Sequence, residues 1–159
     1  MSGFSKEHLQ TFRTAYLFRS LEPSELDLFI DKACSSMWNP GDIVIREDDM
    51  GESLYLILSG KVRVTKRTYD GIEQVLGILG PGEFFGEMVL MDNRARSASV
   101  YAHTRLELAE IPHDDITSIL SDNPKIGLSV LRAFLEVLSL RLREANDKLR
   151  SLPFMERTF

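Results

Sequence analysis

Apolar residues recur along this chain in two rhythms. From residue 5 to 36, and again after 113, they fall three or four positions apart, the interval that lines one face of a helix. Between 37 and 111 they come in short runs broken by glycine and turn residues, the texture of a sheet. In the first zone Phe12, Ala15, Tyr16 and Phe18 sit near helical spacing. A second helix is predicted to open at Pro23-Ser24-Glu25, where proline in the first turn forfeits no hydrogen bond, with Leu26, Phe29, Ile30 and Ala33 as its apolar stripe. The central zone holds candidate strands at 42–46, 53–59, 61–68, 73–79, 98–103 and 105–111. Lys61-Val62-Arg63-Val64 alternates charged and apolar, as a half-buried strand does. Tyr69-Asp70-Gly71 reads as a hairpin turn. Many short strands at this spacing predict an all-β sandwich or barrel, with a jelly roll fitting best.

The helical rhythm returns with Ile116, Ile119 and Leu120, a short helix ended by Asn123-Pro124. A long helix follows from about 126 to 152, stopped by Pro153. The expected fold is mainly β with flanking helices: helices over 5–36, a β-roll over 37–111 and helices over 113–152. Residues 1–152 would form one domain and 153–159 a tail. Along the long helix Leu131, Leu135, Leu138, Leu142, Ala145, Leu149 and Leu152 alternate four and three apart, a heptad seam. Val130, Phe134 and Val137 make a second stripe in its first half. One stripe can dock on the β-roll while the other meets a second copy; alternatively, one domain covers both. The length of the seam favours a homodimer, because it outlasts what a small roll can cover.

Composition narrows the classes. A chain of 159 residues suits one compact domain, and 43% hydrophobic with 27% charged residues is ordinary for a globular protein. A net charge of −5 argues against a phosphate-binding basic face, so no DNA binding is expected of this chain alone. The lone cysteine, Cys34, permits neither an internal disulfide nor a multi-cysteine zinc site, and a reducing, cytoplasmic setting is expected. Cys34 follows a helical pattern and reads as a small buried apolar residue. No apolar run approaches the roughly 20 residues of a membrane span, and the N-terminus lacks the order of a signal peptide.

The stretch from Gly82 to Val100, GEFFGEMVLMDNRARSASV, is where candidate chemistry concentrates. Gly86 allows a tight turn, and the residues after it could form about one helical turn. Arg96 carries a planar fork of donors suited to phosphate oxygens, and Ser97 adds a hydroxyl. Ala95, Ala98 and Ser99 leave room for a ligand. Glu87 would repel a phosphate, yet it accepts readily from a sugar hydroxyl. A phosphate and a sugar hydroxyl in one cassette suggest a nucleotide, and one arginine suits a singly charged phosphate. Two plainer readings stand beside this one. Glu87 is also at home as an acid near a helix N-terminus, and Arg96 as a solvated strand residue.

Phe85-Gly86-Glu87-Met88-Val89-Leu90 followed by Arg96-Ser97-Ala98-Ser99-Val100 resembles the phosphate-binding cassette of cyclic nucleotide-binding domains. Gly41-Asp42 and the run from Gly51 to Val62 are similar to the upstream strands of the same family. The resemblance covers nearly the whole chain and is nearest the catabolite-activator branch, without that branch's helix-turn-helix. It implies a jelly-roll sensor that binds cyclic AMP first and cyclic GMP second, with no metal or other cofactor. By matched position, Glu87 would bind the ribose 2′-hydroxyl, and Arg96 and Ser97 the cyclic phosphate. The Gly86, Glu87 and Met88 backbone would line the sugar-phosphate, with Ala98 giving it room, and Leu76, Gly77 and Phe85 would wall the pocket. Arg141, Ala145 and Asn146 would approach the base, Asn146 offering both donor and acceptor. Two positions depart from the family pattern: Ala145-Asn146 replaces a frequent hydroxyl pair, and Asp48 stands where glycine is usual.

Three other functions compete. The chain could be the sensor part of a transcription regulator, or a dimerising scaffold with a decayed pocket. It could also be a metal enzyme of the cupin type, although its histidines, His8, His103 and His113, form no H-x-H pair.

Overall fold

The computed structural model describes residues 3–90 and 95–151, with the backbone alone for Val89. Two short helices lead: α1, Lys6–Thr14, and α2, Pro23–Ile30. The strands follow as β1, Cys34–Trp38; β2, Ile43–Ile45; β3, Ser53–Ser59; β4, Val62–Arg67; β5, Glu73–Leu79; and β6, Phe84–Phe85. A short 3-10 turn, Glu87–Leu90, precedes β7, Ser99–Ala102, and β8, Leu106–Pro112. The chain then runs through α3, His113–Asp122, and the long α4, Pro124–Ser151.

Two four-stranded antiparallel sheets face each other, with orders β1-β8-β3-β6 and β2-β7-β4-β5. This is the predicted jelly-roll sandwich with helices on its outer side. Strand β3 has the helices on one face and the second sheet on the other, so it is buried on both and reads as a continuous apolar run. Leu54, Leu56 and Leu58 pack with the helices in one core. Ile57 belongs to the second core, between the sheets, with Val62, Val100, Leu106 and Leu108. The first two helices start on local sequence devices, the second of them predicted from the sequence. The Ser5 hydroxyl accepts from the His8 backbone at 3.1 Å to open α1, and Pro23 begins α2.

The long helix uses its two stripes differently. Val130 and Phe134 are buried against the domain, Phe134 at 1% exposure, and Val137 packs partly buried beside them. The seam is left open in part, with Leu135 at 60% and Leu142 at 63% exposure, while Leu138 packs against the core. Leu152 and the tail expected over 153–159 lie outside the described residues.

The helical zone is shorter than its pattern suggested. It ends at Ile30, and Cys34 opens strand β1 with its side chain exposed rather than buried. The reason is topological: β1 sits at a sheet edge and pairs only with β8, which leaves its outer residues to solvent. The β-zone accordingly runs from Cys34 to Pro112 and not from 37 to 111. The two-residue β6 was not among the expected strands, because two apolar residues carry no period.

Replacing Phe134 by alanine is expected to lower unfolding free energy by about 3–5 kcal/mol, since a buried ring leaves a cavity that the sandwich cannot collapse into. Urea denaturation followed by circular dichroism measures it; a loss below about 1 kcal/mol would mean that α4 does not anchor the domain.

Candidate functional site

Strand β6 sets the site's geometry. Neighbouring residues of a strand point to opposite faces, so Phe84 and Phe85 enter different cores. The Phe84 ring stacks on Phe134 of α4, with centroids 5.6 Å apart, and the Phe85 ring on Tyr55 of β3 at 5.1 Å. The backbone leaving β6 is thereby fixed on both sides. It turns at Gly86, whose φ is +79°. A Cβ at that residue would stand 2.8 Å from Arg96 Nη1 and 2.9 Å from the Ser53 carbonyl oxygen, so the turn has room for glycine only. The expected helical turn after it is the 3-10 turn that begins with Glu87.

Arg96 arrives from the other side. Its backbone N–H donates to Asp49 at 2.8 Å, and its carbonyl accepts from the Asp48 N–H at 2.9 Å. Asp48 itself takes φ 71°, so aspartate holds the left-handed turn at a position where the family pattern has glycine. The arginine side chain runs tight against Gly51, where a Cβ would fall 2.1 Å from Nε. Its guanidinium donates from Nη1 to the Gly86 carbonyl at 2.8 Å and from Nη2 to the Ser53 carbonyl at 2.9 Å. At 8% exposure Arg96 is a buried cation. Burial pushes its pKa down, against the opposing pull of Tyr55, Glu87 and Glu110. The Tyr55 phenol is pushed up to about 12, by burial first and then by Glu110.

Glu87 has a partner of its own. Its Oε1 accepts from Arg141 Nη1 at 2.9 Å, while Arg141 Nη2 donates to the Phe84 carbonyl. The Arg141 guanidinium also lies over the Phe84 ring, 4.8 Å from its centroid. The Arg141 guanidinium thus ties α4 to the turn that carries Glu87.

A further lattice steadies the strand after Arg96. The Ser99 hydroxyl accepts from the Glu47 N–H at 2.9 Å. The Glu47 carboxylate accepts from the Arg67 N–H at 3.0 Å and from Lys66 Nζ at 3.0 Å, and these bonds hold its pKa low. Lys66 Nζ also donates to the Ser97 carbonyl.

These pieces enclose one cavity of about 770 Å³, between β5, the turn after β6, residues 95–98 and the outer half of α4. Every residue predicted for the site lines it except Asn146. The α4 face that turns inward carries Arg141, Glu144, Ala145 and Lys148, and a helix rotates about 100° from one residue to the next. Asn146 is thereby carried off this face and is solvent-exposed. Sequence reasoning missed Glu144 and Lys148, although the three- and seven-residue steps from Arg141 point to both. It also missed the walls from the second sheet, Ile45, Val64 and Ile78, which no motif marks.

Among the described residues no three metal-binding side chains cluster. His8 contacts Glu107 at 2.6 Å, His113 lies 3.1 Å from Asp114, and His103 is exposed. No helix among those residues is long and apolar enough to cross a membrane.

A family model described as the cyclic nucleotide-binding domain matches residues 37–123. The chain is similar to the cyclic AMP receptor protein of Thermus thermophilus, at 36% identity over 88% of this chain and 63% of that protein. It is also similar to a CRP-like cAMP-activated global transcriptional regulator of Mycobacterium tuberculosis, at 33% identity over 89% of this chain and 62% of that protein. Among solved structures, the catabolite activator protein of Thermus thermophilus aligns with a TM-score of 0.74 at 36% identity, covering 85% of this chain and 62% of that one. The chain therefore spans less than two thirds of the length of these relatives.

Gly86→Ala is expected to destabilise the protein by about 1–3 kcal/mol, from positive φ and crowding against Arg96 together. Gly77→Ala, where an added Cβ meets nothing within 4 Å, should stay within about 0.5 kcal/mol of wild type. Equal urea midpoints for the two variants would refute the packing of Arg96 against Gly86.

Proposed function

The chain belongs to the cyclic nucleotide-binding domain family, and from that premise we propose that it is a non-enzymatic sensor for a 3′,5′-cyclic purine nucleotide. Cyclic AMP is the first candidate and cyclic GMP the second; the names of the relatives from Thermus and Mycobacterium support that order. The observation that carries the reading is the convergence of Arg96 and Glu87 on one cavity.

Arg96 is a buried cation whose partners here are two carbonyl oxygens. A guanidinium has five donors, so most of the fork is still free. A buried charge is stable only when paired, and a singly charged cyclic phosphate supplies the missing anion. Ser97 lines the same cavity. Arg141 engages Oε1 of Glu87, which leaves Oε2 to accept from the ribose 2′-hydroxyl. Leu76, Gly77 and Phe85 supply the cover under which these bonds gain strength.

The same ion pair provides the signal. A hydroxyl on Glu87 competes with or reorients the Arg141 contact, and Arg141 belongs to α4. Ligand capture thus biases the helix between two placements, and the open leucine seam carries that bias to a second copy. A second reading, in which this domain is the sensor part of a transcription regulator, is supported by the names and greater length of the same relatives.

Titration calorimetry with cyclic AMP and cyclic GMP tests the capture. Arg96→Ala should weaken binding about 10- to 100-fold, the value of a lost charge-assisted contact; unchanged affinity would remove Arg96 from recognition. Sedimentation tests the seam. The wild type should be dimeric and Leu142→Glu monomeric, because a carboxylate at the centre of an apolar seam has no partner. A monomeric wild type would refute dimerisation through α4.

A further inference from the structure

Tyr55 stands at the centre of a row that crosses the first sheet beneath the site. It pairs with Phe85 of β6 on one side and with Glu110 of β8 on the other. Directly opposed residues of antiparallel strands bring their side chains together on one face. The Phe85 ring accordingly stacks on Tyr55 with 9° between the planes, and the Tyr55 phenol donates to Glu110 Oε1 in a long bond of 3.3 Å. The ring is thus held across its face by an aromatic neighbour and at its tip by a carboxylate. Burial, and Glu110 after it, keep the phenol protonated, so it remains a donor.

Arg96 lies within reach of this ring. Its guanidinium carbon is 6.0 Å from the Tyr55 centroid, at the outer edge of the range over which an aromatic face attracts a cation. The carbonyls of Gly86 and Ser53 fix two of the Arg96 donors. Two acceptors define a line, and a planar fork can still tilt about it. Tyr55 bears on both of them: Ser53 lies two residues earlier on β3, and a Cβ at Gly86 would come 3.3 Å from Tyr55 Cδ2. Neither Tyr55 nor Glu110 lines the cavity, so their route to a ligand runs through Arg96.

Resting on the cyclic-nucleotide reading, we propose that Tyr55, tethered by Glu110, is a positioning residue that sets the tilt of the Arg96 guanidinium. A cyclic phosphate has two exocyclic oxygens in different orientations. A fork held at one tilt meets one of them better than the other, because charge-assisted bonds to a planar fork are directional. A fork free to tilt meets both about equally. Tyr55 therefore governs stereochemical preference at phosphorus, while Glu87, held from α4 by Arg141, is outside its influence.

The test is calorimetric titration of this chain with cyclic AMP and cyclic GMP. The tighter binder is then compared with its 2′-deoxy analogue and with its two phosphorothioate diastereomers, in which sulfur replaces one or the other exocyclic oxygen. The wild type should prefer one diastereomer. Tyr55→Leu should weaken the parent nucleotide about tenfold and abolish that preference, while the affinity lost with the 2′-hydroxyl stays within about twofold of its wild-type value. Tyr55→Phe and Glu110→Ala keep the stacked ring and are expected to fold even if Tyr55→Leu does not; melting curves check this. Each should cut the preference about threefold, and the double variant no further, since both remove one contact. Glu110→Gln retains an acceptor for the phenol and should keep the preference. A wild type without preference, or a preference unchanged in both Tyr55→Phe and Glu110→Ala, would overturn the role of Tyr55 and leave the sensor reading intact. So would additive losses in the double variant, an equal loss in Glu110→Gln, or a matching loss at the 2′-hydroxyl, which marks a merely structural role. Failure of the wild type to bind either nucleotide would overturn both readings.

Discussion

The site depends on one buried cation. Arg96 lies in a slot whose walls are backbone: Gly51 on one side, the Gly86 turn on another, and the Ser53 carbonyl at its end. A desolvated guanidinium is costly unless its donors are matched, and the fold matches part of the fork with carbonyl oxygens. That partial match holds the side chain in place. The left-handed turn at Asp48, the positive φ at Gly86 and the missing Cβ at Gly51 all serve the placement of this one side chain.

Mechanical connection follows from the residues just before that turn. Phe84 and Phe85 are adjacent in sequence but lie in different cores, so the strand between them is gripped from both sides. Phe84 meets α4 through Phe134 and, at its carbonyl, through Arg141. The same Arg141 reaches Glu87. The turn that carries Glu87 is thus joined to the helix by an apolar stack and an ion pair, both within a few residues. Leu135 and Leu142 on that helix stay exposed, outside the domain's own core.

Charge around the cavity is arranged by position along α4. Arg141 meets Glu87, Lys148 the Leu76 carbonyl, and Glu144 between them lines the cavity. Strand β5 is the edge of its sheet, and its ladder with β4 shifts register beside Leu76.

The sequence by itself determined the class of fold, most strand positions and the cassette. Alternation, turn glycines and helical stripes are local consequences of backbone geometry, and Gly86, Glu87, Arg96 and Ser97 sit in one short segment whose chemistry reads directly. The two stripes of the long helix were equally legible, but which one docks was not; that was settled when Phe134 met Phe84. The tertiary structure alone decided that Cys34 lies on an open edge, that Asn146 is rotated off the cavity, and that Arg141 lands on Glu87. Each of these depends on which distant element is the neighbour, and periodicity along a chain says which face is apolar without saying what that face will touch.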